Sequence, residues 1–188
     1  MNDLKLLDIL KKHALGARVG TRPEGQRVRP DIDAALRATR EKDALLIDFD
    51  GMEVVSHSFA DEVIAIPLSR LIAGEYGEKY LVVRIDRDDI CEDLGSALRK
   101  RSLALLRLRR NGRKHWDVLG ALSEELRETL ELIAREGPAS TGELAQRLEL
   151  KLQACSNRVV ELGRLRLIRR ERVEGERGLK HENALAMA

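Results

Sequence analysis

Apolar residues form one strand-like run in the first half of the chain. Ala44–Phe49 is rich in β-forming residues and ends at Asp50-Gly51, a turn signal. Such a run between helical patterns predicts a strand buried on both faces of a mostly parallel sheet. Ser58 is predicted to cap the next helix, with Asp61 in the capping-box position and Asp61 and Glu62 in the first turn.

The segments around this strand alternate between helical and extended patterns. Helices are predicted at Asp3–His13, at Asp31–Glu41, and from a cap at Asp88 along Ile90, Leu94 and Leu98. Strands are predicted at Lys79–Ile85, Leu103–Arg109 and Lys114–Val118, and Asn111-Gly112 is predicted to join the last two as a hairpin. The glycine-punctuated segment before Asp31 is expected to hold two short strands, one at Val19 and one at Val28. This alternation predicts a small α/β sheet domain over residues 1–118.

From about Gly120 the pattern changes to three helices without a buried strand. Ser123 is expected to cap the first helix, Gly137-Pro138 to end it, and Ser140 with Glu143 to form a capping box for the second. The third helix is predicted at Leu152–Leu162, ending at Gly163, with an inward face of Leu152, Cys155, Val159 and Leu162. Two strands are predicted to follow, at Leu165–Val173 and Leu179–Leu185. This order predicts a winged helix-turn-helix domain over residues 119–188.

Composition narrows the possible functions. Apolar residues make up 43% and charged residues 35% of the 188 residues, as in folded globular chains. The aromatic content of 3% argues against a groove that stacks single-stranded bases. Cys91 and Cys155 lie far apart in predicted helices, which indicates neither a disulfide framework nor a zinc site and favours the cytoplasm. The Leu4–Leu10 run is too short and too charged for a signal peptide or membrane span.

The second half resembles the winged-helix regulators of bacteria. The residues that carry this resemblance are TGELAQRLELKLQACSNRVVELGRLRLIRRERV. The resemblance implies a positioning helix at Thr141–Leu148, a recognition helix at Leu152–Leu162 and a wing after ELGRLRLI. It also implies a homodimer that binds two DNA half-sites.

The first half resembles the STAS-like family, whose members include anti-anti-sigma factors, through LLIDFDGMEVVSHSFADEVI. In anti-anti-sigma factors the equivalent loop carries a serine that a partner kinase phosphorylates, next to an aspartate and before a glycine. Here the loop is Ser56-His57-Ser58-Phe59, without that aspartate and glycine, which leaves a partner- or ligand-binding role open. The residues expected to regulate or to bind a partner, such as a kinase-like ATPase, are Ser56, His57, Ser58, Asp61 and Glu62.

The predicted recognition helix presents a polar face. If its apolar residues face inward, a step of about 100° per residue points Gln153, Asn157 and Arg164 outward. Lys151–Arg172 carries seven basic and two acidic residues, which gives +5 within a chain of net charge +2. This charge favours duplex DNA, although winged helices also dock proteins. The residues predicted to bind DNA are Lys151, Gln153, Ser156, Asn157, Arg158, Arg164, Arg169, Arg170, Arg172 and Arg177.

A second basic stretch surrounds the Asn111-Gly112 hairpin. One prediction is that this stretch lies along flanking phosphates or against the acidic face of a partner. The alternative is that it is an edge hairpin that its charge keeps soluble. Its residues are Arg99, Lys100, Arg101, Arg107, Arg109, Arg110, Arg113 and Lys114.

Two functions fit these patterns. The first is a cytoplasmic DNA-binding transcriptional regulator whose STAS-like domain senses a partner, ligand or serine modification. The alternative is a protein-interaction adaptor in a kinase partner-switching pathway that does not bind DNA directly. No enzymatic activity, metal or cofactor is expected, because the polar residues of the serine loop lack a second histidine and an oxyanion motif.

Overall fold

The computed structural model describes residues 1–110, 115–175 and 178–187. The chain divides into two compact units, Met1–Ala121 and Leu122–Ala188, here called the N-terminal unit and the C-terminal unit. Both contain helices and sheets, which confirms the mixed α/β class. In the part of the chain that the structure describes, no helix is long and apolar enough to cross a membrane.

The N-terminal unit contains a five-stranded sheet and a separate two-stranded pair. Its strands are β1 (Asn2–Lys5), β2 (Arg18–Val19), β3 (Ala44–Asp48), β4 (Val54–Val55), β5 (Tyr80–Arg84), β6 (Ala104–Leu108) and β7 (Trp116–Gly120). The large sheet has the order β1-β3-β5-β6-β7, in which β7 alone runs antiparallel to its neighbour. Strands β2 and β4 pair in parallel beside it.

Helices α1 (Leu6–Lys12), α2 (Arg22–Ala38), α3 (His57–Ala60), α4 (Ile66–Ile72) and α5 (Asp88–Lys100) complete this unit. A π-helical turn, Asp61–Ala65, joins α3 to α4. Alternate sheet residues such as Leu45, Ile47 and Leu81 share one core with the helices, and the residues between them, such as Leu46 and Val82, are buried too. The prediction that β3 is buried on both faces is therefore confirmed.

The beginning of the chain differs from the prediction. Asn2–Lys5 is a strand rather than the first turn of a helix, and α1 begins only at Leu6. Asn2 lies opposite Leu45 and Lys5 opposite Asp48 in parallel register. Pairing with a strand forty residues away therefore outweighs the helical spacing of Leu4, Leu7 and Leu10, since tertiary context overrides local propensity.

Helix α2 starts nine residues earlier than predicted, at Arg22 instead of Asp31. Thr21 and Glu24 form a reciprocal capping box, and Pro23 lies in the first turn, where its missing N–H costs nothing. Val28, predicted to be in a strand, is a fully buried residue of this helix. The capping box starts the helix although Gly25, a poor helix former, lies in it. Glycine is needed at this position because the helix passes close to Glu62, as described below.

The C-terminal unit contains α6 (Glu124–Glu136), β8 (Ala139–Ser140), α7 (Thr141–Arg147), α8 (Leu152–Arg164), β9 (Ile168–Gly175) and β10 (Gly178–Leu185). The strands form an antiparallel sheet in the order β8-β10-β9. Ser123 caps α6, Gly137 ends it with φ +79°, and Ser140 and Glu143 form the capping box of α7, as predicted. These local signals decided the helix boundaries correctly.

Two predictions about α8 are wrong. The helix continues through Gly163 to Arg164, so Gly163 does not end it. The Arg170 side chain of β9 approaches Gly163 closely: a Cβ there would lie 2.9 Å from its Cδ. Leu152, predicted to face inward, is 61% exposed at the start of the helix. Cys155, Val159 and Leu162 are buried as predicted, so α8 packs through a narrower apolar face.

Two further predictions concern the N-terminal unit. Helix α5 has Arg87 as its N-cap residue, without a side-chain cap, and Asp88 is its first helical residue rather than its cap. The Asn111-Gly112 turn lies outside the described residues, but β6 and β7, which flank it, are antiparallel partners.

Candidate functional site

The predicted regulatory segment begins with a cap at Ser56, not at Ser58. The Ser56 Oγ accepts a hydrogen bond from the Phe59 N–H and donates one to the Gly20 carbonyl at 2.5 Å. The chain thus turns into α3 two residues earlier than expected, and Ser58 lies within the first turn. Ser56, His57 and Ser58 are all partly buried. Ser56 is therefore the structural serine, and Ser58 has no capping role.

Asp61 and Glu62, which the sequence placed in the first turn of a helix, are buried. Their relative exposures are 4% and 2%. The Glu62 carboxylate accepts hydrogen bonds from Arg22 Nη1 and Arg29 Nη1, each at 2.5 Å. The Asp61 carboxylate accepts two from Arg101, at 2.5 and 2.9 Å, and one from Arg22 at 3.1 Å. These five side chains are called the arginine cluster here.

The arginine cluster carries three positive and two negative charges. Hydrogen bonds from Arg101 lead the effects that hold the pKa of Asp61 below its ordinary value, and they outweigh burial, which raises it. Both acids are thus committed to interactions within the fold. A role of Asp61 and Glu62 in regulation or partner binding stays a prediction.

The backbone brings this cluster together. Asp61 and Glu62 lie in the π-helical turn, and α2 approaches that turn at Gly25. A Cβ at Gly25 would lie 2.6 Å from the Glu62 Cβ, so a side chain there would force the two segments apart. π-helical turns are rare and occur often at functional sites. Sequence reasoning missed the cluster, although Arg22 and Arg29 stand seven residues apart, a spacing that places them on one face of α2.

The second basic stretch is also largely paired within the N-terminal unit. Arg107 and Arg109 bind Asp117, Arg110 binds Asp48, and Arg101 binds Asp61. Arg107 is only 3% exposed, so neither of the two alternatives, contact with phosphates or an acidic partner and charge that keeps an edge hairpin soluble, applies to it. Arg113 and Lys114 lie outside the described residues.

Asp48 lies at the carboxyl end of β3, beside a cleft of about 200 Å³ between the β3 and β5 ends. It accepts hydrogen bonds from Arg84 at 3.0 Å and from Arg110 at 2.5 Å. Burial raises the pKa of Asp48, but these bonds and that of the Asp50 N–H together hold it below its ordinary value. Among the described residues, no three His, Cys, Asp or Glu side chains converge as metal ligands.

In the C-terminal unit, α8 presents the polar face that its spacing predicts. Gln153, Asn157 and Arg164 are exposed, and Gln153 Nε2 donates to Asn157 Oδ1 at 3.0 Å. Arg164 forms an ion pair with Glu161 at 2.6 Å, with 57% of its side chain exposed. Lys151 and Arg172 are exposed, and Ser156 is partly buried. The surface therefore combines amides with accessible positive charge.

Other predicted DNA contacts are engaged inside the C-terminal unit. Arg158 Nη1 reaches α6, where it donates to Glu128 Oε2 at 3.1 Å and to the Glu125 carbonyl at 3.3 Å. Arg169 Nε donates to the Ala186 carbonyl at 3.1 Å, and Arg170 lies partly buried against Gly163. Arg158 and Arg169 thus donate hydrogen bonds within the unit, whereas the Nε of Arg170 is buried without a hydrogen-bond partner. Arg177 lies outside the described residues.

Comparison with known families agrees with part of this description. Residues 24–70 match the model of a STAS-like domain of unknown function (DUF4325), which is 47 of the chain's 188 residues. This segment contains most of α2, all of β3, the serine segment and the π-helical turn, so the STAS-like resemblance is confirmed there. A search of curated proteins found no match.

Proposed function

We propose that this protein is a DNA-binding transcriptional regulator. In this proposal the C-terminal unit is a winged helix-turn-helix domain, and the N-terminal unit, with its STAS-like segment, receives a signal through a partner, ligand or serine modification. The order of α6, α7, α8 and the β9–β10 ribbon supports the winged-helix assignment. The protein would act as a homodimer on two DNA half-sites, because most such domains bind in this way.

The exposed face of α8 is the observation that carries this proposal. An α-helix fits the major groove, which is about 12 Å wide, and α8 has thirteen residues, or roughly 20 Å of length. Asparagine and glutamine amides can pair with the N6 and N7 edge of adenine, and arginine with guanine. Gln153, Asn157 and Arg164 lie on one face of the helix and point away from its buried residues.

Accessible positive charge supports the same function. Lys151 precedes α8, Arg164 ends it, and Arg172 lies on β9. The Arg164–Glu161 pair is largely exposed, and exposed pairs contribute little stability. Arg164 can therefore exchange Glu161 for a DNA phosphate at small cost.

The test is a duplex selected from a random-sequence pool by the full-length protein, followed by fluorescence anisotropy titration. Replacing both Gln153→Ala and Asn157→Ala is expected to weaken binding to the selected duplex by more than tenfold, while binding to an unselected duplex changes little. Arg135→Ala is the control, because Arg135 is an exposed arginine on α6 paired with its neighbour Glu136. Unchanged affinity and preference in the double variant would mean that α8 does not read DNA.

A second candidate is an adaptor in a kinase partner-switching pathway, with the C-terminal unit as a docking platform. The STAS-like match over residues 24–70 and the partial exposure of His57 and Ser58 favour it. Its test is co-purification with a kinase-like ATPase. Ser58→Ala should abolish this association without loss of stability, since Ser56 provides the cap. Association that survives Ser58→Ala would count against the serine loop as the binding site.

A further inference from the structure

Exposed apolar side chains are concentrated on α8. Among the described residues, four large hydrophobic side chains are exposed, and two of them, Leu152 (61%) and Val160 (48%), belong to this helix. Val160 lies within the polar outer surface: at about 100° per residue it is about 60° from Asn157 and about 40° from Arg164 around the helix axis. Val160 is thus about half exposed, and it is not one of the buried residues of α8.

We infer that Val160 is a specificity-determining residue that contacts the 5-methyl group of a thymine next to an adenine read by Gln153 and Asn157. This inference rests on the proposed DNA-binding function and deepens it. Thymine is distinguished in the major groove by its methyl group, which side chains recognise by apolar contact.

The neighbouring amides explain why the adjacent base would be adenine. The hydrogen bond between Gln153 and Asn157 uses one donor and one acceptor of the amide pair. Either orientation of the two amides leaves one of them with a free donor and the other with a free acceptor. Adenine presents a complementary acceptor at N7 and donor at N6 in the major groove. Asn157 and Val160 are one helical turn apart, so they can reach adjacent base pairs.

The charge around Val160 favours DNA, rather than another apolar surface, as the partner that Val160 contacts. Arg164 is four residues beyond Val160 and largely exposed, and Lys151 and Arg172 add exposed positive charge in the same unit. Phosphates flank every base pair of the groove, so Val160 with exposed positive charge around it matches a thymine methyl and its neighbouring phosphates. The exposed basic residues Lys151, Arg164 and Arg172 are complementary to phosphates, which a second copy of this chain does not carry.

The test removes the methyl group without changing base pairing. In the duplex selected by the full-length protein, each thymine is replaced in turn by uracil, and the affinities of wild type, Val160→Ala and Val54→Ala are measured. We expect one thymine position in each half-site at which uracil weakens wild-type binding about fourfold, the value expected for one buried methyl group. The effect should disappear in Val160→Ala and persist in Val54→Ala, the matched control, which shortens an exposed valine of the N-terminal unit.

Three results would overturn the inference, and they differ from failure of the proposed function. Wild-type binding that is insensitive to every uracil substitution would show that no thymine methyl is read. A uracil effect that persists in Val160→Ala would show that another group reads the thymine. A change in oligomeric state in Val160→Ala, measured by sedimentation velocity without DNA, would identify the valine as a contact between copies. Failure to select any duplex would overturn the proposed function itself, and the inference with it.

Discussion

At the residue scale, the carboxylates of the arginine cluster are buried and paired with three arginines. Glu62 is held between Arg22 and Arg29, and Asp61 between Arg22 and Arg101. Taking a carboxylate out of water is costly unless charged partners and hydrogen bonds compensate it. The cluster therefore fixes α2, the π-helical turn and the end of α5 relative to one another.

The first prediction concerns Glu62. We expect Glu62→Gln to lower the free energy of unfolding by about 2–4 kcal/mol, because it leaves two arginines without their shared carboxylate. The expected value is below that for a fully buried pair, since the arginine side chains are 46% and 30% exposed. Urea unfolding measures the change. Glu53→Gln is the control: its pair with Arg18 is exposed and should contribute less than about 1 kcal/mol.

The second prediction concerns acid stability. Because Arg101 holds the pKa of Asp61 below its unfolded value of about 3.9, the charged carboxylate stabilises the fold fully above that value. This contribution is lost as the pH falls through the lower, folded pKa. The difference in unfolding free energy between wild type and Asp61→Asn should therefore be largest above about pH 5 and shrink towards pH 2. Asp93→Asn, which removes an exposed carboxylate from α5, controls for the loss of one charge, and an identical pH profile in both variants would contradict the assignment.

At the element scale, α3 and the π-helical turn are positioned by the Ser56 cap. Ser56 satisfies the Phe59 N–H and also ties the start of α3 to Gly20, which follows β2. A four-residue helix has little stability of its own, so such end contacts decide whether it forms. The start of α3 is thus fixed to the backbone after β2 through the Ser56 side chain.

The third prediction tests this cap. Ser56→Ala should lower the thermal unfolding midpoint, with a loss of about 1 kcal/mol or more, because both the cap and the bond to Gly20 disappear. Ser58→Ala should have little effect on the same transition. If Ser58→Ala were the more destabilising change, the cap would be at Ser58 in solution.

At the scale of the whole molecule, the proposed regulator must bind DNA through charge as well as base contacts. Each protomer presents three exposed basic residues on or beside α8 and the ribbon: Lys151, Arg164 and Arg172. A dimer would then neutralise about six phosphates, and the logarithm of its affinity should fall with the logarithm of salt concentration at a slope of about −5.

The fourth prediction follows from this number. Anisotropy titrations between 50 and 200 mM salt should give that slope for wild type, and Lys151→Ala should reduce its magnitude by about 2, one contact per protomer. Lys42→Ala, in the N-terminal unit, should leave it unchanged. Affinity that is independent of salt would be incompatible with duplex binding through these residues.

Local patterns predicted much of the fold. The caps at Ser123 and Ser140 and the end of α6 at Gly137 depend on neighbours within four residues, so the sequence contains the whole signal. The start of α2 was equally local, in Thr21 and Glu24, but the nearby glycines concealed it. The outward position of Gln153, Asn157 and Arg164 followed from helical periodicity alone.

The amino-acid sequence by itself determined the apolar strands β3, β5 and β6, the caps of α6 and α7 and the polar face of α8, because these depend on residues within one or two turns of each other. Only the tertiary structure decided that Asp61 and Glu62 are buried, since their partners Arg22, Arg29 and Arg101 lie 33 to 40 residues away. It also decided that Arg158 binds α6 and that Asn2–Lys5 is a strand. The physical reason is that a charge or an edge strand takes its partner from whichever segment the fold brings near.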